Sequence, residues 1–120
     1  MIIRSEQYDA LESDIRDRYC KSLLTFFRDT IPETVASYDD ATLFSRISAA
    51  ELRGRRWGIS LQESMARFIA LDLVMGERFD AIPDVHRFLE ATGMSMDMKV
   101  HVLGDLVQNN LRRDSQGGHS

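Results

Sequence analysis

Residues 57–84 read WGISLQESMARFIALDLVMGERFDAIPD, and the order of residue types in this stretch decides the fold. Gly58 follows Trp57 at the position of a glycine that ends a helix. Ser60 and Glu63 then form the S-x-x-E pattern of a capping box, which starts a new helix. The stretch therefore predicts a helix over residues 61–75 that is entered through a short turn.

This predicted helix is apolar on every side. Between residues 68 and 75, Asp72 is the single polar residue. A surface helix carries polar residues on one face, so we expect this helix to be the central one that the others surround. Gly76 ends it, and Asp80 with Pro83 in the first turn opens the next helix.

The whole chain has the pattern of an all-α, single-domain bundle of about five helices around this central apolar helix. Its 120 residues include two prolines and seven glycines, most of them where helices are predicted to end. The predicted helices span residues 5–30, 40–57, 61–75, 83–92 and 96–113, with an extra turn over residues 32–35. Residues 1–113 are the predicted bundle, and residues 114–120 are a predicted disordered polar tail.

Two predicted helices carry packing signals. The first has one apolar stripe with three- and four-residue spacing, formed by Tyr8, Leu11, Ile15, Tyr19, Leu23, Phe26 and Phe27. In the second, Ala50 and Gly54 share a face. Because Gly54 costs about 1 kcal/mol relative to alanine inside a helix, we expect a close helix crossing at this position.

Composition limits the function classes. The formal charge of −4 argues against nonspecific nucleic-acid binding, which depends on neutralising phosphates. The longest apolar run falls short of the roughly 20 residues that a membrane span needs. A single cysteine, Cys20, fits a reducing compartment. The sequence therefore predicts a cytoplasmic protein with no nucleic-acid or membrane partner.

No catalytic group, metal site or cofactor is predicted. Asp97 and His101 are four residues apart on the last helix, but zinc needs at least three protein ligands, so an ion pair is the favoured interpretation. Arg18 and Lys21 are close to Cys20 in sequence, but Cys20 lies within a helix with no positive helix N-terminus beside it and no His or Asn nearby, which favours a structural cysteine. The carboxylate of Asp72 is expected to pair with Arg46, Arg53 or Arg67 and so to hold two helices together.

The predicted partner-binding residues are arginines at the end of the second helix and methionines near the start of the last. Arginine and large apolar groups are enriched in the cores of protein interfaces, although cations also stabilise a helix C-terminus directly. A helix-turn-helix is disfavoured because its recognition helix would be too apolar for a DNA groove. The predicted contact residues are Arg53, Arg55, Arg56, Trp57, Met94 and Met98.

Several pieces of the chain occur in an order typical of one protein family. They are LFSRISAA at residues 43–50, WGI at 57–59, Glu63, FIALDLVMG at 68–76, GERFD at 76–80, and Pro83. Over residues 10–92 the chain resembles the small helical accessory proteins encoded in type VI secretion clusters of Gram-negative bacteria. The resemblance implies a non-enzymatic accessory factor or co-chaperone whose partner is an effector, an effector chaperone or a spike component.

Two alternatives stay open at this point. A small acidic protein also suits an immunity protein that binds and blocks a cognate toxin, and loss of such a protein would poison the cell that carries it. The chain is also compatible with an enzyme whose site is assembled only in a complex. The sequence predicts neither the oligomeric state nor the identity of the partner.

Overall fold

The computed structural model describes the backbone of residues 5–117 and the side chains of residues 10–109. The described backbone is all-α, which confirms the predicted fold class. It has six helices, one 3-10 turn and no strand. The helices are α1 (Ser5–Thr30), α2 (Pro32–Val35), α3 (Asp40–Trp57), α4 (Gln62–Met75), α5 (Pro83–Glu90) and α6 (Met96–Gly117), with the 3-10 turn at Phe79–Ala81.

Two helix ends differ from the predicted bounds. Helix α5 ends at Glu90 because the backbone of Ala91 is already extended, with a ψ of 150°. Helix α6 continues to Gly117, beyond the predicted end at Arg113. The predicted division into a bundle and a polar tail stays a prediction, and residues 118–120 lie outside the described residues.

Side chains cap two of the helices where the sequence predicts a start. Asp39 Oδ1 accepts a hydrogen bond from the Thr42 amide at 2.7 Å and so caps α3. Hydrogen bonds from Thr42, together with the nearby charge of Arg28, hold the pKa of Asp39 below its ordinary value. At the start of α6, the Ser95 hydroxyl accepts from the Met98 amide at 3.2 Å.

The predicted capping box at the start of α4 is wrong. Leu61 is the extended residue before the helix, and the Ser60 hydroxyl donates to Asp97 Oδ2 at 3.1 Å. The Glu63 carboxylate lies 3.6 Å from Arg67 instead of reaching back to the cap. A carboxylate from α6 thus replaces the local cap.

The chain forms two compact units, residues 1–49 and residues 50–120, and the boundary falls within α3. In the first unit, Arg28 joins α1 to the turn after α2. Its guanidinium donates to the carbonyls of Val35 and Tyr38, both at 2.7 Å, and to Asp40 Oδ1 at 2.9 Å. The buried apolar side chains of this unit are Cys20, Leu23, Phe27, Val35, Leu43 and Ile47.

The predicted stripe of α1 is divided between buried and exposed positions. Leu23 and Phe27 are buried, whereas Leu11, Ile15 and Phe26 are 54%, 58% and 50% exposed. The side chain of Tyr8 lies outside the described residues. The three- and four-residue spacing identified the apolar positions of α1, but it did not predict which of them are buried.

In the second unit, α4 contacts the end of α3, the 3-10 turn and α6. Phe68 and Ile69 are fully buried, and the Phe68 ring lies 5.0 Å from that of Phe79. Val74 and Met75, in the last turn, are 40% and 39% exposed. The prediction of a helix covered on every side therefore fails for its last turn.

The packing reason expected for Gly54 is confirmed. A Cβ atom at this position would lie 2.6 Å from Met65 Sδ and 3.3 Å from Phe68 Cδ1. These side chains of α4, rather than its backbone, occupy the space that glycine leaves. The end of α3 can approach α4 this closely because residue 54 has no side chain.

Candidate binding surface

A buried ionic network joins the end of α3 to the turn after α4. Arg53 donates through Nη2 to Asp72 Oδ1 and through Nε to Asp80 Oδ1, the latter at 3.1 Å. The Trp57 indole donates to Asp80 Oδ2 at 3.0 Å, and the Arg78 amide donates to Asp72 Oδ1 at 2.8 Å. We call these five residues the Arg53 network.

The network shows Arg53 as a partner of Asp72. Asp72 is 1% exposed and forms an ion pair with Arg53. Of the other two candidates, Arg46 donates to the Tyr38 hydroxyl at 2.5 Å, and Arg67 pairs with Glu63. The predicted role of Asp72, to hold two helices together, is thereby confirmed.

Two of the predicted contact residues, Arg53 and Trp57, interact with other residues inside the fold. The Arg53 side chain is 15% exposed, and its guanidinium bonds to two carboxylates of the same unit, those of Asp72 and Asp80. Trp57 is half-buried, and its ring packs edge-on against His86 at 5.3 Å between centroids. Their contact with a partner stays a prediction, but removing either would also disturb the end of α3.

The other two predicted arginines differ from each other. Arg55 pairs with Glu51, whose side chain is 4% exposed. Arg56 is exposed, and among the described residues it has no ion pair or side-chain hydrogen bond. Of the arginines at the end of α3, Arg56 has the guanidinium that is most available to a partner.

Of the two predicted methionines, Met98 lines an open groove between the start of α4 and the start of α6, whereas Met94 does not. Met94 and Met98 are 43% and 51% exposed, and Leu61 on the opposite side is 59% exposed. The groove has a volume of about 420 Å³. Its lining includes Leu61, Ser64, Arg67, Asp97, Met98 and His101.

Asp97 fixes one wall of this groove to the other. Its carboxylate accepts from the Leu61 amide at 3.1 Å and from the Ser60 hydroxyl. Burial acts to raise the pKa of Asp97, but the hydrogen bonds from Leu61, Ser64 and Ser60 together hold that pKa below its ordinary value. The ionised carboxylate is therefore favoured where two helices begin, in agreement with the positive end of a helix dipole.

Sequence reasoning missed this role because it paired Asp97 with His101 along the helix. That pairing is wrong: His101 Nε2 lies 3.6 Å from Asp105 Oδ2. Asp80 was predicted to open the helix at Pro83, but Ile82 precedes that helix and the Asp80 carboxylate accepts from Arg53 and Trp57 instead. Lys99 was missed. Lys99 is 5% exposed, and its ammonium donates to the carbonyls of Leu89 and Ala91, where α5 ends. The sequence signals were a carboxylate or a lysine in the first turn of a helix, which by themselves read as solvent-exposed charges.

Cys20 is buried at 2% exposure, in agreement with a structural cysteine. No group of three His, Cys, Asp or Glu side chains that could hold a metal occurs within the described part of the chain. None of the helices in that part is both long enough and apolar enough to cross a membrane. His119 lies outside the described residues. The predicted lack of a metal or cofactor stays a prediction.

Comparison of the chain with protein-family models, with curated proteins and with solved structures found no match.

Proposed function

We propose that the chain is a non-enzymatic protein-binding module, an accessory factor or co-chaperone that helps load effectors onto a type VI secretion apparatus. One observation carries the binding role: Leu61 and Met98, 59% and 51% exposed, line the same groove between α4 and α6. Adjoining exposed apolar side chains mark interaction sites, whereas single ones are common on any surface. The link to secretion rests on the resemblance over residues 10–92.

The groove suits a partner protein that inserts an apolar side chain and has carboxylates next to that side chain. Met98 is unbranched and polarisable, so it can adapt to the shape of an inserted group. Arg67 and His101 lie on the lining, and each has a carboxylate neighbour at 3.6 Å on its own helix. Exposed pairs of this kind contribute little to stability, so a partner carboxylate can replace them at low cost.

Arg56 supplies a further contact in this proposal. It is exposed and has no ion pair among the residues that the structure describes, so binding breaks no internal bond. Arg55 is a poorer choice because a glutamate at position 55 would face the buried carboxylate of Glu51. A double Arg55→Glu, Arg56→Glu variant would therefore change stability as well as binding, and Arg56→Glu alone is the cleaner test.

The test compares two methionines that differ in position. Met98→Lys places a charge in the groove, and we expect capture of the partner in a pull-down from the native host to fall about tenfold or more, as for a central interface residue. Met75→Lys is the matched control, because Met75 is 39% exposed at the end of α4 and does not line the groove. Equal capture by wild type and Met98→Lys would reject the groove as the binding site.

A competition-killing assay in a deletion strain tests the physiological role. If the chain loads effectors, the deletion strain delivers one neighbouring toxin poorly while growing normally by itself. Self-poisoning of the deletion strain would favour the immunity alternative, which the small acidic chain also suits. If nothing co-purifies and the toxin is still delivered normally, the binding-module proposal is wrong.

A further inference from the structure

The compact unit of residues 1–49 has an open groove of its own, between the second half of α1 and the start of α3. The groove has a volume of about 430 Å³. Its lining consists of Lys21, Leu24 and Thr25 from α1 and Asp40, Ala41 and Phe44 from α3. None of these residues belongs to the lining of the α4–α6 groove. The two grooves are therefore separate surfaces, one in each unit.

Short side chains keep the groove of the first unit open. Thr25 and Ala41 are exposed, and both are too small to fill the space between the two helices. Leu24 and Phe44 are half-buried, so each presents part of its apolar surface to the groove. An apolar side chain inserted between them would remove that surface from water, which is favourable.

The two charged residues of the lining differ in whether they already have a partner. Asp40 accepts from Arg28 at 2.9 Å, so its charge is compensated within the unit. Lys21 is exposed and forms no ion pair among the residues that the structure describes, not even with Asp17 one turn earlier. Lys21 precedes Arg28 by seven residues, or about 10 Å along the helix axis. The uncompensated charge of the groove is thus positive and lies at the end away from Asp40.

This charge selects the kind of occupant. A surface that covers the groove also takes the Lys21 ammonium out of water. An ammonium that loses its hydration without gaining an anion costs free energy, so a wholly apolar or a basic segment is disfavoured. A segment with a carboxylate beside its apolar side chain replaces the lost hydration with an ion pair.

We infer that this groove is a second docking site, for a peptide segment of a protein partner that inserts an apolar side chain between Leu24 and Phe44 and pairs a carboxylate with Lys21. That the occupant is a protein rests on the proposed function, because a loading factor has to contact both the effector and the component that receives it. The chain then has one groove for each of two partners.

The experiment uses two small probes that differ in one charge. N-acetylphenylalanine has an apolar side chain and a free carboxylate, and its amide has the same shape without the charge. Ligands of this size bind with a Kd of about 1 mM at an ordinary ligand efficiency. Titrations of the isotope-labelled full chain, followed through its amide NMR signals, give both affinities and the residues affected. We expect shifts at residues 21–25 and 40–44, and about fivefold tighter binding of the acid, the upper value for an exposed ion pair.

Three variants locate the contacts. Lys21→Gln removes the charge, so the acid and the amide should bind within about twofold of each other. Arg18→Gln is the matched control, because Arg18 is a 79% exposed cation of α1 outside the lining, and it should keep the preference for the acid. Ala41→Leu fills the groove from an exposed position and should weaken both probes about tenfold or more. Circular dichroism checks that each variant keeps its helices.

Several results would overturn this inference. They are equal affinities of the two probes for the wild-type chain, an acid preference that survives Lys21→Gln, and unchanged binding by a folded Ala41→Leu chain. Shifts confined to the α4–α6 groove, or no shifts at all, also overturn it. Shifts at residues 21–25 and 40–44 that grow with protein concentration without a probe would show a second copy of the chain to be the occupant. The α4–α6 groove is tested separately by Met98→Lys, so the two proposals can fail independently.

Discussion

Helix α4 and the first half of α1 both carry apolar residues at helical spacing, but the fold treats them in opposite ways. Phe68 and Ile69 of α4 are fully buried, whereas Leu11 and Ile15 of α1 are more than half exposed. Helix α4 is bonded to α3 through Asp72, and α1 is bonded to the turn after α2 through Arg28 in its last turn. The difference teaches that apolar spacing identifies a face able to pack, and that polar bonds between elements show where it does pack.

The largest expected effect is the difference between the losses of stability caused by removing one aromatic side chain from α4 and one from α1. Phe68→Ala should lower the free energy of unfolding by about 3 to 5 kcal/mol, because it opens a cavity in the core. Phe26→Ala, at 50% exposure, should cost less than about 1 kcal/mol. Urea denaturation of both variants measures the two values, and equal losses would refute the contrast between α4 and α1.

The next effect comes from the Arg53 network. Arg53→Met keeps the length of the side chain but leaves the carboxylates of Asp72 and Asp80 without their cation. We expect a loss of about 3 kcal/mol, at the lower end for breaking a buried pair, because Arg53 retains 15% exposure.

Arg56→Met on the same helix is the control and should change stability by less than about 0.5 kcal/mol. Thermal melts of the two variants give the comparison. If the two arginines prove equivalent, the attachment of α4 does not depend on this network.

A smaller effect is expected at Asp97, which attaches the start of α4. Asp97→Asn keeps one acceptor oxygen for the Leu61 amide but replaces the oxygen that accepts from the Ser60 hydroxyl, so it should cost about 1 kcal/mol at neutral pH, the typical worth of one hydrogen bond. Because the folded pKa of Asp97 lies below its ordinary value of 3.8, its contribution is present above that pH and is lost as the pH falls through the folded pKa. The difference in the free energy of unfolding between wild type and variant should therefore disappear in acid.

Denaturation midpoints measured from pH 7 down to pH 3 test this dependence. Asp105→Asn, an exposed position on the same helix, is the control and should show almost no gap at neutral pH. A gap for Asp97→Asn that widens in acid would show the sign to be wrong.

The smallest effect compares two glycines inside helices. Alanine is favoured over glycine by about 1 kcal/mol in a helix interior. At Gly104 a Cβ would meet only Arg67 Nη1, at an ordinary 3.7 Å, so Gly104→Ala should raise the melting temperature. At Gly54 the new Cβ would lie 2.6 Å from Met65 Sδ, so Gly54→Ala should lower it despite the same gain in propensity.

Calorimetry of the two alanine variants decides the matter through the sign of each shift. A higher melting temperature for Gly54→Ala would mean that Met65, whose sulfur is flexible, moves aside without cost.

Local signals in the sequence predicted most of the helices. The start of α3 after Asp39, the turn begun by Pro32 and the cap at Ser95 all depend on residues within four positions of each other, which a sequence displays directly. The crossing at Gly54 was also predictable, because a glycine inside a helix needs a packing reason. The pairing of Asp72 with an arginine was predictable because a carboxylate within an apolar helix needs either solvent or a cation.

The parts that could not be predicted involve residues distant in sequence. Nothing near Asp97 shows that its carboxylate bonds to Ser60 and Leu61, 37 and 36 residues away. The pairing of Arg53 with Asp72, 19 residues away, likewise depends on how helices pack. Which surface binds a partner is less predictable still, since an arginine at a helix end has the same sequence pattern whether it is exposed, as Arg56 is, or bonded internally, as Arg53 is.

The buried ammonium of Lys99 has a practical consequence for chemical labelling. The chain has two lysines, and they differ in exposure. Lys21 is exposed on α1, whereas Lys99 is 5% exposed and its ammonium donates hydrogen bonds to the carbonyls at the end of α5. Of these two side chains, an amine-reactive dye or coupling resin should modify Lys21 alone in the folded protein. Acylation of Lys99 would then report the opening of the α5–α6 connection, and a chain immobilised through its lysine would be held by α1 with the α4–α6 groove left unmodified.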